Sequence, residues 1–398
     1  MNIVVANVPY HQQDEGFECG KAVAQMLLRG LGRPLASQGD IAELLKGCGQ
    51  NDDWSTSPDA LTCILNAHRP KRFSQQFIVH ADNERDVAMR RLAATITGTG
   101  IAVPAVVMEN KHWVCVRGVA FDEPASPGLP ATIRGFYINN PMPITARKAH
   151  SKDHRLDPYP RPFPHADDDA CGIGSIFGTG CEYVSAYGWI SDYWSAPAST
   201  YGAYITISNV PQSPYAAQSF RVGPPLPTVG GPNLGEAAAR AAAEHQVKSN
   251  PAATRGPLAE RLRHPKAMPQ SPGQSNDASG STYYIVTVVC DGGLAQVSID
   301  KANGALRGFQ APAGTTIPDS YTAEAALGAL QQQSLRFRHL FDADQLRLED
   351  VVLDPKFFWS PCLQTRSPFI PIGRVTVRGH QMYFIDGQVY ETLEDVRA

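Results

Sequence analysis

A change of composition divides this chain into two patterned parts. Residues 209–280 are rich in Pro, Gly, Ala, Ser and Gln, whereas the segments on either side alternate between helical and strand-like patterns. The chain has 398 residues, more than the roughly 250–300 at which a single core stops growing. We therefore predict an α+β protein with two folded domains, residues 1–208 and 281–398, joined by a flexible linker over 209–280.

The first part predicts helices followed by an antiparallel sheet, which is an α+β order. Apolar residues recur at helical spacing after Cys19. Ser57 before Pro58 is typical of a helix start, and Asp40 is the predicted N-cap of the preceding helix. Strand-like runs then follow at 101–108, 112–122 and 133–141.

Residues 142–182 are rich in Pro, His and Asp and show little periodicity, so we predict a surface insertion. Its His and Asp side chains match no known ligand spacing, which indicates a solvated loop and no metal site. Cys171 and Cys181 could pair only in an oxidising setting. The aromatic run 182–194 predicts an amphipathic helix, and 201–208 predicts the closing strand.

The C-terminal part predicts a small α+β domain with strands, one helix over 322–333 and a final hairpin turning at Asp386-Gly387. Residues 357–373 combine aromatic residues with Pro and Ser. This run is compatible with a surface that binds a protein partner and equally with a core strand.

Composition narrows the range of functions. The formal net charge is −3, with 35 basic and 38 acidic residues and no basic cluster, so nucleic acid is not an expected partner. No apolar run approaches the roughly 18 residues of a membrane span. The N-terminus is typical of a strand rather than a signal peptide, which predicts a cytoplasmic protein and leaves open an export route without such a signal. The eight cysteines contain no CxxC pair, so we interpret most of them as small buried hydrophobes and expect no cofactor.

Four polar residues could nevertheless combine in nucleophilic catalysis. Cys19 lies where a polar loop meets an apolar helix, and Gln13 precedes it by six residues. His112 opens an apolar strand, and Asn140 follows the end of another. Thiol chemistry needs a thiolate, an imidazole that moves protons, a group that orients the imidazole, and donors for an oxyanion.

The segments QDEGFECGKAVAQMLL, NKHWVCVRGV and FYINNP resemble papain-fold cysteine peptidases, most closely the C39-like branch. The resemblance covers about the first half of the chain. It implies a papain-like fold with Cys19 as nucleophile, His112 as general base, Asn140 as orienting residue and Gln13 as oxyanion-hole side chain. Asn140 stands where this branch usually has Asp. Papain itself also has Asn at this position. Gln13 is preferred to the adjacent Gln12 as the oxyanion-hole residue only because of its spacing from Cys19.

The predicted function is therefore hydrolysis of a peptide or isopeptide bond in a peptide or protein substrate. The same residues also suit a transglutaminase-like acyltransferase or an amidase that deamidates side chains. A third interpretation is a non-catalytic module that binds a protein through the C-terminal domain. Trp54 and Trp113 are candidate substrate-binding residues, although Trp113 equally suits a core position.

Overall fold

A computed structural model describes most of the chain, and the longest gap covers residues 142–180. The described residues are 2–14, 18–33, 37–50, 56–71, 75–124, 126, 128–141, 181–209, 218–223, 234–249, 263–267, 273–276, 282–291, 293–310, 321–360, 362 and 368–393.

The first half begins with a strand and three helices and continues with a sheet. Its helices are α1 (Cys19–Gly30), α2 (Gln38–Gly47), α3 (Pro58–Ala67), α4 (Arg85–Thr99) and the single turn α5 (Ala186–Gly188), which runs into a π-helical turn (Trp189–Tyr193). Its strands are β1 (Asn2–Val5), β2 (Ile78–Asp82), β3 (Val103–Val107), β4 (His112–Asp122), β5 (Ala131–Asn139), β6 (Cys181–Ser185) and β7 (Tyr204–Ser208).

The second half adds more strands and three α-helices within the described ranges. The helices are α6 (Glu236–Ser249), α7 (Ala323–Gln332) and α8 (Ser334–Phe337). The strands are β8 (Phe220–Val222), β9 (Lys266–Ala267), β10 (Gly273–Asn276), β11 (Thr282–Cys290), β12 (Gly293–Asp300), β13 (Leu306–Gln310), β14 (Val351–Phe358), β15 (Ile372–Val377), β16 (His380–Ile385) and β17 (Gln388–Tyr390).

Among the described residues, thirteen strands form one sheet in the order β10-β11-β12-β13-β6-β5-β4-β3-β7-β2. The three further strands lie off this path: β1 pairs with β4, β8 with β5 and β9 with β11. All pairings are antiparallel except that of β5 with β8. A separate four-stranded sheet has the order β14-β15-β16-β17. The predicted α+β class with antiparallel sheets is confirmed.

The predicted N-cap is confirmed for α3 but not for α2. Ser57 caps α3 through its side chain, as predicted, and Pro58 is its first residue. The cap of α2 is Ser37, whose hydroxyl accepts from the backbone N–H of Asp40, so the prediction of Asp40 as N-cap is wrong. The hydroxyl at residue 37 satisfies a free N–H of the first turn, which places residue 40 inside the helix.

The two faces of β4 support different cores because successive side chains alternate across a strand. Trp113 and Cys115 pack with α1, α2 and α3 on one face. Val114 and Val116 pack with α4 and the π-helical turn on the other. The long strand β4 therefore lies between the helical layer that begins at Cys19 and the layer formed by α4 and the π-helical turn.

The segment predicted to be a linker contributes ordered elements in its described parts. The strand β8 pairs with β5, and α6 packs on β11 and β12. The buried positions of α6 are spaced at three and four residues and consist mostly of alanine: Ala239, Ala242, Ala243, Gln246 and Val247. The prediction of a flexible linker does not fit these residues, because small alanine side chains let the helix lie close against the sheet.

The two halves also share the large sheet. The strand β13 from the C-terminal half pairs with β6 from the N-terminal half. Arg307 on β13 is fully buried and forms an ion pair with Asp192 in the π-helical turn. Its guanidinium also lies 4.4 Å from the ring centroid of Tyr283. The described elements of 1–208 and 281–398 are therefore joined by a continuous sheet and a buried charge pair, rather than by a tether alone.

The aromatic run at 357–373 is mostly buried where it is described. Trp359 packs into the core formed by α4 and the π-helical turn, and Phe369 packs against the four-stranded sheet. Ile370 and Ile372 are also buried. These residues fit the core-strand interpretation of the run.

The described cysteines include one disulfide, Cys48–Cys63, which joins the end of α2 to α3. The sequence analysis interpreted most of the cysteines as buried hydrophobes and did not predict this pair. Cys19, Cys115, Cys290 and Cys362 are buried and are not part of a disulfide. Cys171 and the histidines and aspartates of the predicted insertion lie outside the described residues.

The described residues contain neither a membrane-spanning helix nor a cluster of metal ligands. None of their helices is both long enough and apolar enough to cross a membrane. No group of three or more His, Cys, Asp or Glu side chains within them is arranged to hold a metal ion.

Candidate active site

Cys19 is the first residue of α1 and is 5% exposed. Glu18 occupies the N-cap position but makes no capping hydrogen bond, and its carboxylate instead pairs with Lys21 at 2.9 Å. Helix N–H groups in the first turn lack intrahelical partners, and the helix dipole there favours a negative charge. The helix α1 packs directly on β4, the strand that begins at His112.

A short series of contacts links the residue after Cys19 to the residue after His112. A Cβ atom on Gly20 would lie 2.5 Å from Oγ1 of Thr56, so only glycine fits against this threonine. The backbone carbonyl of Thr56 accepts a hydrogen bond from the indole N–H of Trp113 at 2.9 Å. The start of α1 and the start of β4 are thus packed on the same residue.

His112 and Asn140 are hydrogen-bonded in the buried end of the sheet. Nε2 of His112 lies 2.7 Å from Oδ1 of Asn140. Since an amide oxygen only accepts, Nε2 carries the proton in this arrangement, and Nδ1 is the nitrogen with a lone pair for a thiol proton. The side chain of the neighbouring Asn139 instead donates a hydrogen bond to the backbone carbonyl of Val8 at 3.2 Å.

The turn before His112 has an unusual backbone. Met108, Glu109 and Asn110 have φ angles of 56°, 60° and 77°, in the left-handed region that non-glycine residues rarely adopt. The backbone N–H of Met108 donates to the carbonyl of Tyr193 at 2.8 Å. Such strain persists only where surrounding contacts hold it, and it is typical of functional sites.

Gln13 lies in a loop that is held on both sides. Its backbone N–H donates to the carbonyl of Pro141 at 2.8 Å, next to Asn140. The side chain of Gln38 donates to the carbonyl of Gln12 at 2.6 Å and accepts from the N–H of Asp14 at 3.0 Å. This loop is therefore fixed beside the residue that bonds His112.

Glu182 extends the polar cluster beyond the residues found by sequence. It is 1% exposed, and its Oε1 accepts from Nδ2 of Asn140 at 3.0 Å. Its Oε2 accepts from the hydroxyl of Tyr193 at 2.5 Å. Burial raises the pKa of Glu182 to about 7, although the bonds from Tyr193 and Asn140 act in the opposite direction.

The sequence analysis missed Gln38, Thr56, Glu182 and Tyr193. Glu182 was assigned to the surface insertion and Tyr193 to an amphipathic helix, whereas residues 181–185 form a strand and 189–193 a π-helical turn. The alternation of Glu182 with Tyr183 and Val184 is compatible with a strand, but a charged residue on such a strand is ordinarily assigned to solvent.

The two tryptophans proposed to bind substrate have different outcomes. Trp113 is buried in the core beside α1 and is 5% exposed, which fits the core position that the sequence also suggested. Trp54 lies outside the described residues.

The structure brings His112 and Asn140 into direct contact, and it links both to the surroundings of Gln13 and Cys19 through Pro141 and Thr56. Residues of this kind can together form a thiol nucleophile, a proton-transfer group and an oxyanion site. No protein-family model, characterised protein or solved structure significantly matches the chain.

Proposed function

We propose that this chain is a papain-like cysteine peptidase that hydrolyses peptide or isopeptide bonds. The observation that carries the proposal is the 2.7 Å hydrogen bond between Nε2 of His112 and Oδ1 of Asn140, on a strand packed against the helix that begins at Cys19. This bond selects the imidazole tautomer that can take a proton from a thiol.

The reaction follows from these roles. Nδ1 of His112 takes the proton of Cys19, and the thiolate attacks the carbonyl carbon of the substrate to form a tetrahedral oxyanion. The backbone N–H of Cys19 and the side-chain amide of Gln13 stabilise that oxyanion. The imidazolium then gives its proton to the leaving amine, and a thioester remains on Cys19.

Water completes the cycle. His112 takes a proton from a water molecule, whose oxygen attacks the thioester carbonyl and forms a second oxyanion at the same place. Collapse of this intermediate releases the carboxylic acid, and the proton on His112 returns to the sulfur of Cys19. Asn140 keeps the imidazole in one orientation through both halves of the cycle.

A peptidyl electrophile that reacts with thiolates tests the proposal. We expect one label per molecule, located by peptide mass spectrometry on Cys19, and loss of the label in C19A and H112A. The matched control is C115A, because Cys115 is a second buried free thiol, on the same strand as His112, and burial raises its pKa to about 12. Labelling of C19A at the wild-type level would contradict the proposal.

Product analysis distinguishes hydrolysis from related reactions. Incubation of the enzyme with a mixture of denatured proteins should give cleaved chains with new termini. Products that are deamidated or crosslinked without cleavage would instead identify an amidase or an acyltransferase. The absence of any Cys19-dependent product or label would favour a binding module.

A further inference from the structure

Glu182 is a buried carboxylate that, among the described residues, is bound by neutral donors rather than by a cation. Its two hydrogen bonds come from the amide of Asn140 and the hydroxyl of Tyr193. Burying an ionised carboxylate without a positive partner is unfavourable. The hydrogen bonds from Asn140 and Tyr193 offset part of that penalty, and they hold the cluster in one arrangement.

The sheet places this carboxylate in line with the proposed catalytic residues. His112 begins β4, Asn140 follows β5, and Glu182 lies on β6, and these three strands are adjacent. In the register of β5 and β6, Glu182 is opposite Ile138, two residues before Asn140. Diagonal neighbours on one face of a sheet are within reach of long side chains, so β6 directs Glu182 towards Asn140.

An asparagine that orients His112 must itself be held in one of two amide orientations, a requirement that an aspartate does not have. Its amide has an acceptor end and a donor end, and rotation by 180° about the last bond exchanges them. With Nδ2 towards Nε2 of His112, the imidazole would have to carry its proton on Nδ1 and could not accept the thiol proton. Whether it is ionised or protonated on Oε2, the carboxyl group of Glu182 presents Oε1 as an acceptor, so it binds the Nδ2 end and leaves Oδ1 facing His112.

We propose that Glu182 is a positioning residue that fixes the amide of Asn140 in its productive orientation and thereby sets the tautomer of His112. This inference rests on the proposed function, because the tautomer matters only if His112 takes a proton from Cys19. It assigns the role that the usual aspartate performs alone to a pair of residues on two neighbouring strands.

Tyr193 supports the same arrangement from the π-helical turn. Its hydroxyl holds the second oxygen of Glu182, and its backbone carbonyl holds Met108 in the turn that precedes His112. Its ring stacks on Trp189, with 5.3 Å between centroids and 8° between planes. One residue therefore contacts both Glu182 and the turn that leads into His112.

The test is the pH dependence of Cys19 alkylation by iodoacetamide in the full-length protein, followed by peptide mass spectrometry. A thiolate paired with an imidazolium reacts at acidic pH, whereas an isolated thiol reacts only as the pH becomes alkaline. We expect the wild type to react at pH 5.5. E182L should react about 10- to 100-fold more slowly at this pH, by analogy with the loss of a partner that orients a metal-bound histidine. It should react at the wild-type rate only at alkaline pH.

Rescue by a conservative variant separates orientation from packing. In E182Q, the glutamine oxygen can still accept from Nδ2 of Asn140 while its amide donates to the hydroxyl of Tyr193, so the acid reactivity should largely return. The matched control is D300N, because Asp300 is another buried carboxylate bound by a tyrosine, Tyr187. This variant should keep the wild-type pH profile.

The outcomes separate the two proposals. A wild-type protein that reacts only at alkaline pH overturns the proposed function and this inference with it. A wild type that reacts at acidic pH together with a folded E182L of unchanged profile overturns the inference alone, and so does an E182Q as slow as E182L. If E182L does not fold, Y193F decides: a reduced rate at pH 5.5 supports the inference, and an unchanged rate overturns it.

Discussion

The side chain of Gln38 holds the loop of Gln13 from both ends, by donating to Gln12 and accepting from Asp14. Gln38 is the first residue of α2 and is buried. The same loop is fixed on its other side by Pro141. The residue proposed to bind the oxyanion is therefore positioned by a glutamine that the sequence analysis did not identify.

We expect Q38A to impair turnover more than substrate binding. Both hydrogen bonds to the loop are lost, so Gln13 is no longer fixed at the proposed oxyanion site. Removing an oxyanion donor outright lowers kcat about 100- to 1,000-fold, and misplacing it should lower kcat by about tenfold or more. Steady-state kinetics on a peptide substrate measure the effect.

The control for this variant is Q333A. Gln333 also accepts a hydrogen bond from a backbone N–H, that of Val389 at 2.9 Å. Val389, however, lies on β17 in the four-stranded sheet. Q333A should lose stability by about 1 kcal/mol with kcat unchanged. Equal kcat values for Q38A and the wild type would contradict the positioning of Gln13.

We expect G20A to destabilise the protein and to slow the reaction of Cys19. The added methyl group would overlap with Thr56, and overpacking of this kind costs about 1–3 kcal/mol. Because Gly20 follows Cys19, relief of the overlap would move the start of α1. Urea denaturation and the alkylation rate of Cys19 measure the two effects.

Gly328 provides the matched substitution. It lies within α7, and a Cβ atom there would have no neighbour within 4 Å. G328A should stabilise the protein by about 0.5–1 kcal/mol, because glycine loses more backbone entropy than alanine in a helix. A G20A protein as stable and reactive as the wild type would argue against tight packing of Gly20 on Thr56.

The pKa of Glu182 predicts how stability depends on pH. The folded protein holds the proton up to about pH 7, whereas the unfolded chain releases it near 4.5. Between these values the native state binds more protons, so the contribution of Glu182 to the free energy of unfolding falls as the pH rises, by up to about 3 kcal/mol.

E182Q should remove this part of the pH dependence. Urea denaturation at pH 5 and pH 8 should therefore show a smaller loss of stability in E182Q than in the wild type. The other polar groups that face Glu182 are Asn140, Tyr193 and Asp192, and all three are unchanged in this variant. Parallel pH dependences in the two proteins would mean that Glu182 is ionised throughout this range.

The disulfide Cys48–Cys63 should stabilise the protein measurably. The two cysteines are 15 residues apart, and closing a loop of that length contributes about 3 kcal/mol by restricting the unfolded chain. Reductant should lower the free energy of unfolding of the wild type to that of a C48S/C63S double variant. The double variant itself should not respond to reductant.

The same pair tests the predicted location. Disulfides are rare in reducing cytoplasm. Rapid alkylation of the protein in its native cells, followed by mass spectrometry, should find Cys48 and Cys63 as free thiols if the protein is cytoplasmic. A disulfide in those cells would indicate an oxidising compartment and the export route that the sequence leaves open.

We expect a fragment containing residues 1–208 to fold poorly. It would lack β13, the neighbour of β6, and Arg307, the buried partner of Asp192. Removing one member of a buried ion pair alone costs about 3–5 kcal/mol. Circular dichroism and limited proteolysis of the fragment check this, and a folded fragment that labels on Cys19 would support two independent domains.

Local signals in this sequence predicted local structure well. Ser57 with Pro58 gave the start of α3, and Asp386 and Gly387 adopt the positive φ angles of a tight hairpin turn. These features depend on neighbours along the chain. The approximate extents of β4 and β5 followed from their apolar runs for the same reason.

Features that depend on distant contacts were missed. The alanines of α6 lie in the segment predicted to be a flexible linker, although in the fold they form a packing surface. Glu182 was assigned to a solvated insertion because nothing adjacent in sequence indicates that Asn140 and Tyr193 lie beside it. The pairing of Cys48 with Cys63 likewise depends on how α2 packs on α3.

The pairing of β6 with β13 has a consequence for synthesis of the protein. The ribosome releases β6 long before β13 has been made, so a nascent chain presents β6 as an unpaired edge next to the polar cluster of Glu182. Open edges of this kind invite aggregation, and contacts between distant segments form slowly. If the proposed function holds, the newborn protein would therefore complete the sheet beside Glu182 only after Gln310, the last residue of β13, has been made.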